Sequence, residues 1–356
     1  MMRTGKPRKS AEPRSAEPTA PPRGVSRGFL LMSALAITLL SCSGGGGAHA
    51  KRVFFRMGTV TEITVSVPKS YHIKPLWNAV DSLLSQSENR FSVTGDSSEV
   101  MALNGRGGAR ALPVSPALGG MLRTGLAYGD TLGGSFDVTV LPLKELWGLC
   151  EQCAGDEPLP DSLRVAAAVR RVDYRKVRVS DAADSVFFDS PDTRIDVGGL
   201  AKGHVLRLLE ALLKDRGVDN FLIAAGGDVI ASGRKGDGAP WRVGVQHPRN
   251  GEELITTVAL RRGALVTSGD YERARVAGKN RYHHIFDPAT GYPCGRNQSL
   301  TIWAPDPVRA DILSTGLFCD PAEQIIEFVR ARDSLECFIV DSDGKTRVSA
   351  GWPEMY

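Results

Sequence analysis

Few features of this sequence place it at once. Its 356 residues include only six cysteines, six histidines and 7% aromatics. Six cysteines in a chain this long exclude a disulfide-dense miniprotein, and the lack of an internal repeat excludes a fibrous protein. With 42% hydrophobic and 24% charged residues, intrinsic disorder is excluded too. No single sign of charge dominates. The net +4 is local: residues 1–41 hold seven Lys/Arg against Glu12 and Glu17, leaving −1 for the remainder. The basic balance therefore gives no argument for a nucleic-acid partner. The apolar run Phe29–Leu40 has twelve residues, short of the roughly 20 a spanning helix needs. The common catalytic signatures are missing as well. There is no G-x-x-x-x-G-K-[ST] phosphate loop, no G-x-G-x-x-G, no H-E-x-x-H zinc helix and no G-x-S-x-G elbow.

What is present begins with an address. A basic, proline-rich stretch precedes Phe29–Leu40, which fits the apolar core of a signal peptide. Leu39-Leu40-Ser41-Cys42, followed by a glycine tract, resembles a bacterial lipoprotein box. Cleavage before Cys42 and lipidation of its thiol are expected; an ordinary signal peptide with a cysteine near the cut is the alternative. The expected organisation is a signal peptide over 1–41, a lipidated cysteine and flexible linker over 42–52, and one working domain over 53–356. The expected location is the cell envelope, on the periplasmic side and anchored to the membrane. Five cysteines then remain. Cys150 and Cys153 form a C-x-x-C with no second pair at zinc spacing, which reads as a local disulfide. The odd number leaves at least one thiol unpaired.

Periodicity supplies the elements. Val53–Phe55 and Thr59–Val67 alternate as strands around Met57-Gly58. Leu76–Leu84, 116–131, Leu163–Val169 and Leu200–Lys214 have helical spacing, and Gly217 stops the last of these. Short strands are expected near Val177–Val179, Val186–Asp189, Phe221–Ala225, Val229–Ser232 and Trp241–Val245, with Ile195–Gly199 ending another. Strands in runs with a few helices argue for an α+β fold with a largely antiparallel sheet.

The chemical candidates are weak one by one. Asp196-Val-Gly-Gly-Leu-Ala-Lys202-Gly203 sets two glycines and a lysine at a helix N-terminus, which suits either a phosphate or a tight turn. Gly226-Gly227-Asp228 reads as a hairpin turn. In Tyr282-His283-His284-Ile285-Phe286-Asp287-Pro288, either histidine could be a general base or a structural ring. Asp311 and Thr315 are four apart on one helical face, where they could offer oxygens to Mg²⁺, although a first-turn Asp also suits the helix dipole.

Their order along the chain is more telling. Met57-Gly58-Thr59, Phe91-Ser92, Phe136-Asp137-x-Thr-Val, Leu146-Trp147-Gly148, DVGGLAKG, AAGGDVIASG, Thr267-Ser-Gly-Asp-Tyr271, HHIFDPATG and ADILSTGLF together resemble the ApbE-like FAD:protein FMN transferases. The resemblance spans roughly residues 53–350. It implies a T-fold-like α+β architecture that binds FAD and Mg²⁺ and moves FMN onto a Thr or Ser hydroxyl of an acceptor protein, releasing AMP. It further implies that Met57, Phe91, Ser92, Ser135, Phe136, Asp137, Asp196, Lys202 and Ile285 line the FAD site. The implied metal ligands are Asp311, Thr315, Gly199 and Ser314, and the implied base is His284. The implied acceptors resemble flavin-carrying subunits of NADH:quinone or Rnf-type electron-transfer complexes. Phe286 stands where the family usually has an aliphatic residue, and the Cys150–Cys153 loop is outside its common pattern. Two other readings of the same residues are an Mg²⁺-dependent FAD pyrophosphatase and a non-catalytic FAD-binding lipoprotein.

Overall fold

The computed structural model describes residues 47–92, 98–106, 111–150, 153, 158–278 and 280–352. The expected signal segment and Cys42 lie outside the described residues. The chain opens with a hairpin of β1 (Gly47–Arg56) and β2 (Thr59–Pro68). Met57 and Gly58 both take positive φ (55° and 66°), the two-residue turn that matches strand twist. β1 starts six residues before the expected Val53, because Gly47 already pairs with Pro68 and the ladder runs unbroken.

Next come α1 (Ile73–Phe91), α2 (Glu99–Gly105), β3 (Leu112–Pro113), α3 (Pro116–Thr131), α4 (Leu141–Leu146) and α5 (Ser162–Val169). Ser98, Ser115 and Asp161 cap α2, α3 and α5 by accepting backbone N–H bonds. β4 (Val177–Val179) and β5 (Ser185–Phe188) lead to α6 (Gly198–Asp215). Five strands follow: β6 (Phe221–Ala225), β7 (Asp228–Ser232), β8 (Trp241–His247), β9 (Asn250–Leu260) and β10 (Arg262–Gly269). A small hairpin, β11 (Ala274–Ala277) and β12 (Asn280–His283), precedes β13 (Asn297–Ala304). The chain then forms α7 (Pro307–Gly316), α8 (Ala322–Arg330), β14 (Glu336–Asp341) and β15 (Thr346–Val348).

The main sheet has eight strands in the order β1-β2-β6-β7-β10-β13-β14-β15, and every ladder among the described residues is antiparallel. Alternation gives the sheet two apolar faces. One face (Ile63, Val65, Ile223, Ile230, Val266, Ile302) joins Leu84, Leu122, Leu209 and Ile312 of the helices in the large core. The opposite face, with Leu222, Val229, Leu265 and Phe338, is covered by Trp241, Val243, Val258 and Leu260 of β8 and β9. Among the described residues no helix is long and apolar enough to cross a membrane.

One expected strand end is not a strand. The backbone bonds of the segment before α6 lie outside the sheet ladders. Asn104 of α2 both donates to the Ile195 carbonyl (2.9 Å) and accepts from the Ile195 N–H (2.8 Å). The Asp196 N–H goes to the Val138 carbonyl. A side-chain amide thus replaces a neighbouring strand and fixes where α6 begins. Cys150 and Cys153 are joined as expected; a second disulfide links Cys294 and Cys319, and Cys337 is a buried free thiol.

Candidate functional site

The geometry is set where α6 crosses α7. A Cβ on Gly203 would lie 2.5 Å from the Pro307 carbonyl oxygen and 2.9 Å from the Asp311 Cβ, so only glycine admits α7 this closely. The close approach lets Asp311 Oδ2 accept the Gly203 N–H at 2.7 Å. That N–H is the donor an α-helix directs at the Gly199 carbonyl, so Asp311 competes for it beside a carbonyl of the first turn. Gly199 and Thr315 are adjacent: a Cβ on Gly199 would sit 3.2 Å from the Thr315 methyl and 3.1 Å from the Phe136 ring. Ser314 Oγ donates to the Asp311 carbonyl and lies 3.0 Å from Ser268 Oγ at the end of β10. Gly199, Asp311, Ser314 and Thr315, expected as a set, are therefore gathered in one place, with Ser268 added.

Lys202 points into the same region from α6. Its Nζ lies 2.6 Å from Oδ2 of Asp228, which is fully buried at the start of β7. The Gly226-Gly227 turn (φ 57° and 94°) puts Asp228 there, in register with Ala225. Burial alone would lower the Lys202 pKa, but Asp228, Glu272 and Asp311 raise it, so the ammonium keeps its charge. Burial and the Asp228 charge push the Asp311 carboxyl up to about 7. A cation beside Asp311 would draw its carboxyl back to the ionised form. Among the described residues no three His, Cys, Asp or Glu side chains could hold a metal together. A cation here would meet the Asp311 carboxylate with hydroxyl and carbonyl oxygens, a hard donor set that suits Mg²⁺ and not a thiolate- or imidazole-seeking metal.

The two histidines have different surroundings. His283 is buried, and both its nitrogens are used: Nδ1 accepts the Ile285 N–H at 3.3 Å, so Nε2 carries the proton and donates to the Cys294 carbonyl. His284 is half-buried, and its Nδ1 has no hydrogen-bond partner among the described residues. Burial, then the positive charges of Lys144, Arg273 and Lys202, hold its pKa well below the usual histidine value. The ring is neutral near pH 7 and has a nitrogen to accept a proton. Ile285 itself is buried in this loop.

Asp196, at the mouth of α6, accepts the Gly198 N–H at 2.7 Å and pairs with Lys144 Nζ at 2.9 Å. Burial would raise its pKa, but the Lys144 charge and these bonds lower it, so the Asp196 carboxylate stays ionised. Lys144, Ser268 and Asn104 escaped the sequence reading, and Asp228 was read only as part of a turn. The local pattern gives no hint of Lys144 as a buried cation, whereas Asp228 and Ser268 sit inside two quoted motifs. Ser135 and Asp137 spend their bonds on nearby backbone and on Tyr174. Ser135 Oγ donates to the Leu132 carbonyl, while Asp137 accepts from the Thr139 N–H and hydroxyl and from the Tyr174 N–H. Their effect is to present Phe136 against Gly199 and Gly316. Met57 donates its N–H to Glu88 Oε1 at 2.7 Å, tying the first hairpin turn to α1. That turn adjoins the Gly226 turn through Thr59. Phe91 meets the His204 ring edge-on, and Ser92 caps α1.

The sequence profile of the ApbE family matches residues 57–339, which includes every group just described. The chain belongs to the ApbE family. A relative in Treponema pallidum named FAD:protein FMN transferase is 30% identical over 86% of this chain and 89% of its own length. One of the same name in Escherichia coli is 27% identical over 81% and 83%. Among solved structures, the ApbE protein of Thermotoga maritima has a TM-score of 0.78 at 29% identity, covering 86% of this chain and 98% of its own. The flavin transferase ApbE of Vibrio cholerae, at 24% identity and a TM-score of 0.77, shares the fold over 87% of this chain and its whole own length.

Proposed function

We propose that this protein transfers FMN from FAD to a Thr or Ser hydroxyl of an acceptor protein, releasing AMP, with Mg²⁺ required. The observation that carries the reading is the meeting of Lys202, Asp228, Asp311, Ser314 and Thr315 at the N-terminal turn of α6, in a chain of this family. The acceptor oxygen bonds to the phosphorus of the FMN half, the bond from that phosphorus to the bridging oxygen breaks, and AMP leaves with the bridging oxygen. His284, neutral and with a buried Nδ1 that has no hydrogen-bond partner among the described residues, takes the hydroxyl proton. Lys202 and the positive N-terminal end of the α6 dipole hold the diphosphate by charge. Asp311 and Thr315, with the Gly199 carbonyl and Ser314, would hold the cation. Bound there, Mg²⁺ would neutralise charge on the departing phosphate. Met57, Phe91, Phe136 and Asp196 border the remaining FAD pocket, Asp196 kept ionised by Lys144.

Export and a lipid on Cys42 place this chemistry at the membrane surface, facing the periplasm. Its acceptors there are flavin-carrying subunits like those of NADH:quinone or Rnf-type complexes. Cys42→Ser should move the protein from the membrane to the soluble fraction; retention in the membrane removes the anchor from the account. The activity is tested by incubating the protein with FAD, Mg²⁺ and an acceptor peptide. A covalently fluorescent peptide supports transfer. Free FMN with unlabelled peptide identifies a pyrophosphatase, and unchanged FAD a flavin carrier.

A further inference from the structure

Two groups with separate jobs sit on separate pieces of chain: the proton acceptor on the loop after β12, the cation ligands on α7. We infer that the Cys294–Cys319 disulfide is a positioning device for FMN transfer, holding the His284 loop against the end of α7, and that its reduction slows transfer without releasing FAD. This inference rests on the proposed function.

The loop is bonded to itself and is packed on α4 and α5, with Trp147 Nε1 donating to the Gly291 carbonyl and Phe286 set among Leu143, Trp147 and Val165. Ile285 donates to His283 and accepts from the Cys294 N–H, Phe286 bridges Pro293, and Asp287 and Gly291 close the tip. Its returning end is Cys294, whose carbonyl also receives the His283 Nε2 proton. The helix α7 ends at Gly316, and the next residues are the other half of the junction. Phe318 meets the His283 ring at 5.5 Å, and Asn297 Nδ2 donates to the carbonyls of Phe318 and Asp320. Cys319 lies between those two carbonyls, bonded to Cys294. The crosslink thus closes a segment containing all of β13 and α7. Both of those are already fixed, β13 by β10 and β14, and α7 by its buried face in the core. What the bond adds is the register between the His283–His284 loop and the end of α7. Without it, the ring edge and the Asn297 amide remain as the links at the end of α7, while α4 and α5 hold only the other side of the loop.

The chemistry is an ordinary exchange. A dithiol supplies two electrons and two protons, the sulfur–sulfur bond breaks, and two thiols and an oxidised dithiol result. Cys319 is partly exposed and open to attack, while Cys294 is buried. The remaining thiol, Cys337, takes no part: it is buried, and burial pushes its pKa up to about 11. Cys150–Cys153 closes a three-residue turn after α4 and serves as the control.

The test compares FMN transfer by oxidised, dithiothreitol-reduced and reoxidised wild type, by the double variant Cys294→Ser/Cys319→Ser, and by Cys150→Ser/Cys153→Ser. Displacing a proton acceptor by a fraction of an ångström to an ångström costs about tenfold or more in kcat. That drop is expected for the reduced protein and the first variant, with KM for FAD unchanged and full recovery on reoxidation. The acid limb of the pH–rate profile should move upward as His284 regains water. The control variant should keep the wild-type rate and profile. Wild-type kcat and profile in Cys294→Ser/Cys319→Ser overturn the inference, as does a loss of rate that only tracks loss of far-UV circular dichroism. If the oxidised protein labels no acceptor, the proposed function fails and takes this inference with it.

Discussion

Two adjacent histidines in one motif end in opposite roles, and hydrogen-bond accounting separates them. His283 gives both nitrogens to backbone partners of its own loop, whereas Nδ1 of His284 has none. General-base assistance is worth about 10²–10⁴ in rate. His284→Ala should slow transfer by that factor with unchanged FAD affinity and melting temperature. His283→Ala should instead lower the melting temperature, because it strands the Ile285 N–H and the Cys294 carbonyl in a buried loop. Wild-type transfer by His284→Ala would remove it as the base. The sequence shows a pair of rings and no means of choosing by composition. Choosing requires knowing that Cys294, ten or so residues on, folds back over the first ring, a tertiary fact that spacing does not carry. Lys144 was hidden for the same reason. A lysine on a short helix reads as solvated until Asp196, far along the chain, is found 2.9 Å away.

At the scale of elements, the site exists because α6 and α7 touch. The helices themselves were legible: apolar spacing marked Leu200–Lys214, and Asp311 and Thr315 were readable as one face of the next helix. The hairpin turns at Met57-Gly58 and Gly226-Gly227 were equally plain, because two-residue turns with positive φ select glycine. The start of α6 was misread as a strand end. Ile195 and Val197 alternate with polar neighbours as a strand would, but Asn104 satisfies the backbone in place of a ladder. The helix crossing is the sharper test of packing. Gly203→Ala must push against the Pro307 carbonyl, a backbone atom that cannot rotate away. The expected cost is about 1–3 kcal/mol of stability, seen as a lower urea midpoint, together with a raised Mg²⁺ requirement as α7 moves outward. An unchanged midpoint and requirement would mean that the crossing tolerates a methyl group and does not set the ligand positions.

For the whole molecule, the antiparallel sheet acts as a partition. Helices and the site lie on one face, with the β8–β9 hairpin sealing the other. Stability therefore depends on groups sealed in the helical layer, and one of them titrates. Burial, with the nearby Arg207 charge, lowers the His204 pKa to about 4. The unfolded chain, with an ordinary histidine pKa near 6.5, binds a proton the folded state refuses. The sign follows: stability is complete above about pH 6.5 and falls as the pH drops toward 4. The loss from this group is about 2–3 kcal/mol by about pH 4.5. Urea titrations across that range should show the fall in wild type and a shallower one in His204→Leu. Parallel curves for the two proteins would assign the acid sensitivity elsewhere.

The account stands or falls on whether Asp311 holds the ion under which FAD is split toward an acceptor. The most direct measurement is single-turnover transfer from FAD to an acceptor peptide across an Mg²⁺ titration, in wild type and Asp311→Asn, counting labelled peptide and AMP together. The expected result is one AMP per labelled peptide in wild type, saturating with Mg²⁺, and loss of both the rate and the metal dependence in the variant. Labelling that persists in a chelator, or an Asp311→Asn protein that saturates with Mg²⁺ as wild type does, would contradict it.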